Sequence, residues 1–170
     1  RSWSLQDLAG YSGVSRAMIS KVERLEASPT AATLSRLGSA FGVSLSELLS
    51  DNTNPKARLA KRKDQQVWQD PETGYTRRAV SPAAGMPLQL IEVTLPPKAR
   101  VSFPAVAYVH LHQQILVFQG QLTFLEGAEQ YELSQGDCLQ LKGAQDCVFK
   151  NSSSAKDCRY LVALIVKELR

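Results

Sequence analysis

The sequence predicts two domains, an all-α unit followed by an all-β one. Apolar residues recur at helical spacing up to about Ser50, and in short strand-like runs from about Gln66 onward. Between them, Asp51-Asn-Thr-Asn-Pro55 and the basic run KARLAKRK (56–63) break both patterns. The charge is divided too. Residues 1–64 hold ten Lys/Arg against six Asp/Glu and residues 65–170 hold ten of each, so the whole net charge of +4 lies in the first third. That asymmetry points to a polyanionic partner for the α unit and a different task for the rest. The expected boundaries are 1–52 for the first domain, 53–65 for a basic linker and 66–170 for the second domain.

A chain of 170 residues, 44% of them apolar, suits two small folded units and excludes intrinsic disorder. No apolar run approaches the ~18–20 residues of a membrane span. Arg1-Ser2-Trp3 leads straight into a polar, helix-starting segment rather than a signal peptide, and the absence of an initiator Met reads as a trimmed start. Cys138, Cys147 and Cys158 are sparse and odd in number, which favours reduced thiols and a cytoplasmic protein.

Four helices are expected in the first unit. Ser4 and Asp7 start one, Leu5, Leu8 and Ala9 give its apolar face, and Gly13 ends it. Ser15 can cap the second, with Met18, Ile19, Val22 and Leu25 on its buried side. Thr30 opens the third, with Leu34, Leu37 and Phe41 inward and Gly42 as its stop. Ser44-Leu-Ser-Glu47 is a capping box for a short fourth. The first two make a helix-turn-helix: Ala9 is small where the second helix crosses, and Gly13 suits a left-handed turn. The second helix then exposes Arg16, Ala17, Ser20, Lys21 and Arg24, the small, polar, basic profile of a helix entering the major groove. Arg16 can donate bidentately to a guanine, Ser15 or Ser20 can reach a base or a phosphate, and Lys21 and Arg24 suit phosphates.

The stretch SLQDLAGYSGVSRAMISKVERLEASPTAATLSRLGSAFGVSLSELL, with its SLxxLA, GVSxxMIS, ERxExSPT and TLxRLxxAFGVSLxELL marks, resembles the XRE family of Cro and lambda-repressor-like regulators. The resemblance implies a DNA-binding domain. It places Ser15, Arg16, Ala17, Ser20 and Lys21 at base- and backbone-reading positions, and Thr30 against a phosphate. Two departures stand out. Leu25 occupies a position where the family has Gly, and the family's first helix would precede Trp3. The second departure implies a four-helix remnant with an exposed apolar face around Leu5 and Trp3.

In the second unit the candidate strands are 66–69, 75–80, 87–95, 105–110, 114–119, 121–125, 130–133, 137–141, 147–150 and 158–167. A phase change between Leu90 and Ile91 suggests a bulge. Phe118, Phe124, Phe149, Leu116, Leu139, Leu161 and Val162 read as barrel filling. The stretch HLHQQILVFQGQLTFLEGAEQYELSQGDCLQLKGAQDCVFKNSSSA, through Gly120, Glu126-Gly127, Gly136-Asp137 and Asn151, resembles a cupin, which implies a small jelly-roll β-barrel. Metal-binding cupins use two His, a Glu and a later His. By the family spacing Gln113 stands at the Glu and Cys147 at the later His, while His110 and His112 lie closer to Gln113 than usual. Two readings follow. His110, His112 and Cys147 form a soft site for Zn²⁺, or no metal is held, the two His line a polar pocket and Cys147 is a small hydrophobe. Taken with Gln113, these residues are the candidate effector-binding set.

The combination implies a sequence-specific transcriptional regulator, in the sense of a repressor. It would be a homodimer on a double-stranded operator, with the cupin binding a small-molecule effector and the basic linker transmitting the signal. It has no catalytic residues and no cofactor in this reading. The alternatives are a metal-dependent cupin enzyme fused to a DNA-binding domain, and a cupin that only dimerises.

Overall fold

The computed structural model describes residues 2–49, 57–82 and 86–166. Linker positions 53–56 and the last expected strand residue, 167, lie outside the described residues. Four helices come first, α1 Leu5–Ser12, α2 Arg16–Glu23, α3 Ala31–Phe41 and α4 Leu45–Leu48. Each N-terminus is built as the sequence dictates. Ser4 and Asp7 form a reciprocal capping box, with Ser4 Oγ accepting from the Asp7 amide at 3.2 Å and Asp7 Oδ2 from the Ser4 amide at 2.9 Å. Ser15 Oγ accepts from the Met18 amide at 3.2 Å, and Ser44 and Glu47 repeat the box at α4. Gly13 ends α1 in the left-handed region, at φ 66°.

Leu8, Val14, Ile19 and Leu37 form a small core, roofed by Trp3, Leu5, Ala9 and Ala40. The apolar face expected around Leu5 and Trp3 is half-buried rather than bare, because Trp3 stacks on Tyr11 (4.6 Å between centroids) and on Phe41 (5.6 Å). Three side chains expected inward are not. Met18 and Phe41 are each 37% exposed and Leu25 is 91% exposed.

Ten antiparallel strands follow in two facing sheets. One has six strands: β1 Val67–Gln69, β2 Thr76–Ala79, β3 Leu88–Leu95, β10 Cys158–Val166, β5 Leu111–Gln119 and β8 Cys138–Gln140, in that spatial order. The other has four: β4 Arg100–Phe103, β9 Cys147–Lys150, β6 Gln121–Glu126 and β7 Glu129–Ser134. Their inner faces bury one aromatic-rich core. Phe149 sits at its centre, against Phe124 (4.8 Å), Tyr160 (5.7 Å) and Phe103 (5.8 Å). The sheets are not hydrogen-bonded into the closed barrel that was expected.

Four strand-level expectations are corrected. The segment 105–110 is no strand: Ala105–Tyr108 is a 3₁₀ turn, begun by Pro104 and held by the Ala105 amide donating to Asp146 Oδ1 at 2.7 Å. Arg100–Phe103, unforeseen, is β4, a four-residue alternation just behind Pro96-Pro97. No bulge separates Leu90 from Ile91, since β3 pairs continuously with β10; the register shift lies between Arg159 and Tyr160, opposite β5. Leu116, Phe118 and Leu161 do not fill the interior. They are only partly covered or exposed, out of phase with buried Ile115, Val117 and Val162.

The two units share structure. α3 has two faces. Leu37 belongs to the helical core, while Ala31 and Leu34, with Leu45 of α4, belong to the β core. Asp70, 3% exposed at the end of β1, accepts from the Ala31 amide at 2.6 Å and thereby seals the α3 N-terminus against the sheet. Gly38 lets α3 lie close to the chain behind it, because a Cβ there would meet the Val43 carbonyl at 2.9 Å.

Candidate functional site

The candidate recognition surface is α2. Arg16, Ala17, Lys21 and Arg24 are exposed and Ser20 is half-buried, whereas Ile19, on the opposite side, is 2% exposed and anchors the helix to the core. That side of the helix therefore presents two guanidinium groups, a methyl and an ammonium outward from a fixed base, with the Ser20 hydroxyl at its edge. Ser15 spends its hydroxyl on the N-cap. The helix ends in a Schellman motif: the Glu26 amide donates to the Lys21 carbonyl at 2.8 Å and the Leu25 amide to the Val22 carbonyl at 3.0 Å. Leu25 thus takes the left-handed position at φ 58°, which explains its outward side chain. Arg24 pairs with Glu26 at 3.1 Å in full view of solvent. Thr30 caps α3 by accepting from the Thr33 amide at 3.3 Å, and the Ala31 amide is held by Asp70, so that helix end draws its partners from within the protein.

The second site is a cavity at the mouth of the β unit, enclosing about 440 Å³ of atom-free space, part of it open to solvent. Its floor is Phe103, Tyr108, Phe149, Tyr160 and Gln113, and its roof is Ser35 of α3 with Ser44 and Leu45 of the α4 end. Arg77 of β2 also lines it. β2 places Arg77 beside buried Val93 of β3, on the inner side, and Arg78 beside Glu92. The Arg77 guanidinium donates from Nη1 to the Tyr75 hydroxyl at 2.9 Å and from Nη2 to Ser46 Oγ of α4 at 2.8 Å. Among the described residues it enters no salt bridge. Burial raises the Tyr75 hydroxyl above its ordinary range, an effect the Arg77 charge opposes, and Tyr108 and Tyr160 are raised further, again chiefly by burial.

Of the four residues expected to bind an effector, the structure brings only Gln113 to this cavity. It is 8% exposed and inward. His112, its neighbour on β5, is exposed on the other side, and His110 precedes the strand, lining a shallow cleft with Ser39 and Val106. Cys147 is fully buried on β9, and burial pushes its thiol up to about 12. No three His, Cys, Asp or Glu side chains among the described residues are grouped to hold a metal, so the soft site from His110, His112 and Cys147 is not assembled. Arg77, Tyr75, Ser35 and Ser44 were missed. The signal was available for Arg77: the alternation of Tyr75-Thr76-Arg77-Arg78-Ala79 puts one arginine inside.

An α2 with an exposed basic face on a sealed helix-turn-helix, followed by a two-sheet β unit with an aromatic cavity, defines a helix-turn-helix protein with a cupin-type domain. Residues 1–48 match the family HTH_3, helix-turn-helix. Over 50 residues the chain is 46% identical to the HTH-type transcriptional regulator SutR of Escherichia coli (strain K12), a stretch that covers 29% of this chain and 28% of that regulator. The alignment thus spans little more than a quarter of the curated relative. The fold of an HTH_3 family transcriptional regulator from Vibrio cholerae superimposes with a TM-score of 0.79 at 22% identity, covering 99% of this chain and 89% of that one. A sugar phosphate isomerase of the cupin superfamily from Silicibacter pomeroyi superimposes with a TM-score of 0.51 at 16% identity, covering 63% of this chain and 74% of that one. The chain carries an XRE-type HTH_3 domain at its N-terminus and a cupin fold behind it. Its structural neighbours include both a regulator and an enzyme. No helix among the described residues is long and apolar enough to cross a membrane.

Proposed function

We propose that the chain is a sequence-specific DNA-binding transcriptional regulator, not an enzyme, whose cupin domain binds a small-molecule effector. The observation that carries it is the exposed side of α2, where Arg16, Ala17 and Lys21 face away from a core held by Ile19, with Ser20 half-buried beside them. Arg16 reads a base edge; Lys21 and Arg24 neutralise phosphates, with Arg24 first leaving Glu26. Ser15 lies beside them. Thr30 is the weakest of the set, its hydroxyl being engaged as a cap. One such helix reads only a few base pairs, so the working unit is a homodimer on a two-fold operator, in the cytoplasm, with residues 1–52 reading DNA and 66–170 sensing.

The test uses a duplex enriched by the protein itself from a random-sequence pool. Arg16→Ala costs about 1–3 kcal/mol of operator affinity and relaxes the preference at one base pair. Lys21→Ala weakens all sequences alike and lowers the salt slope by about 1. An Arg16→Ala protein that binds the enriched duplex as tightly as the parent removes α2 as the reading helix.

A further inference from the structure

Resting on the effector-site reading above, we infer that the cavity under α3 and α4 takes a small monocarboxylate with an apolar body and no ammonium group, and that Arg77 exchanges its α4 partner for that carboxylate. Arg77 is the one charged side chain among those lining the cavity, and it lies beside half-buried β2 neighbours rather than in bulk water. Its two described hydrogen-bond partners are neutral hydroxyls, Tyr75 and Ser46. A guanidinium so placed is matched poorly by hydroxyls and well by a planar carboxylate. Beside the hydroxyls and Gln113 already described, Leu45, Phe103, Leu111, Phe149, Val162 and Leu164 give it an apolar stretch of wall, which suits a short branched or cyclic hydrocarbon. No Asp or Glu among the described residues lines it, so an amino acid would bring an ammonium in with no carboxylate to pair it.

The exchange has a mechanical consequence. Ser46 sits on α4, and α4 follows α3 through Gly42. α3 in turn holds Leu37 in the same core as Ile19 of the reading helix. A carboxylate that takes Nη2 removes the Arg77–Ser46 tie and presses on Ser35 and Ser44, the roof of the cavity. The signal reaches α2 through packed helices. The basic linker, to which the sequence assigned it, is not needed.

Calorimetric titration of the full chain with isovalerate, isovaleramide and leucine tests this, together with the duplex affinity at saturating isovalerate. Isovalerate binds, the amide and leucine bind at least about tenfold more weakly, and Arg77→Gln loses on the order of ten- to a hundredfold, as expected for a charge-assisted hydrogen bond. Ser46→Ala releases Nη2 of the guanidinium while Nη1 stays on Tyr75. It binds isovalerate several-fold more tightly and shifts duplex affinity in the direction isovalerate does. Should Arg77→Gln fail to fold, the acid-to-amide ratio and Ser46→Ala decide. Equal binding of acid and amide, no binding of isovalerate, or a Ser46→Ala protein with unchanged isovalerate affinity overturns the inference. Binding of the amide alone leaves an effector site in place with the wrong chemistry assigned. Loss of duplex recognition by every form removes the regulator reading itself.

Discussion

Leu25 offers a test of how the reading helix is finished. It occupies the left-handed C′ position of the Schellman motif at φ 58° and is 91% exposed. A non-glycine residue in this region costs roughly 1–2 kcal/mol, because Cβ crowds the following carbonyl. Glycine removes that cost but loses roughly 0.5–1 kcal/mol more backbone freedom on folding. The side chain contributes almost no burial, so little is lost with it. Leu25→Gly is therefore expected to stabilise the protein by about 0.5–1 kcal/mol, or roughly 1–4 °C in melting temperature for a chain of this size. Leu25→Ala keeps the Cβ and leaves stability nearly unchanged, so the Gly–Ala difference isolates the backbone. Thermal melts measure both, and slower hydrogen exchange at the Glu26 amide localises the gain, since that amide closes the motif on Lys21. If glycine is no better than alanine, the helix does not end in a left-handed residue and the geometry given to Lys21 and Arg24 is wrong.

Other consequences are as direct. Asn151, 1% exposed, donates from Nδ2 to the carbonyls of Leu95, Pro96 and Lys156 at 2.9, 3.1 and 2.8 Å. Asn151→Ala strands them and is expected to cost about 3 kcal/mol, roughly 6–12 °C in the melt. Burial raises Cys147 to about 12 and Cys158 to about 11, whereas Cys138 is exposed. Treatment of the native protein with a disulfide reagent at pH 8 should therefore modify one thiol quickly and two only on unfolding; three fast thiols would contradict the buried placement. Glu92 accepts from Arg62 at 3.0 Å and from Arg159 at 2.5 Å, and these bonds, Arg62's first, hold its carboxyl below the ordinary 4.5. A depressed carboxylate gives stability above its unfolded pKa that is lost as pH falls through the folded value. Acid titration from pH 5 downward should thus destabilise the parent more steeply than Glu92→Gln.

What was legible in the sequence was what local chemistry settles. Ser4, Ser15, Thr30 and Ser44 all cap helices, because a short hydroxyl before an apolar-periodic run has one good use. Most strands also lie where alternation put them. The errors fall where periodicity is short or local chemistry wins. Four residues of β4 are too few to show a period, and Pro104 turned 105–108 into a 3₁₀ coil. The candidate effector set is split for a related reason: of its four residues Gln113 alone lines the larger cavity. A shared strand face for His110 and His112 needs both in one strand, but β5 begins at Leu111, so His110 lies in the turn before it, and the strand aims Gln113 inward.

The docking of the two units was harder to see, yet it left a trace. On a helix turning about 100° per residue, Ala31, Leu34, Ser35, Leu37, Gly38, Ala40 and Phe41 of α3 spread over an arc of about 220°, whereas a single buried face needs roughly 100°. An arc that wide calls for two partners. The structure supplies them: Leu37 turns to the helical core, while Ala31 and Leu34 turn to the sheets. The excess width reads in the sequence as ordinary hydrophobicity, because small residues such as Ala31, Ser35 and Gly38 add little to an apolar count while permitting close approach. They are buried all the same, Ala31 completely. A helix whose small residues widen its buried arc is thus a marker of a second docking face. In this chain that face roofs the cavity and the adjoining one packs against α2, so the proposed coupling needs only one rigid element between its two ends.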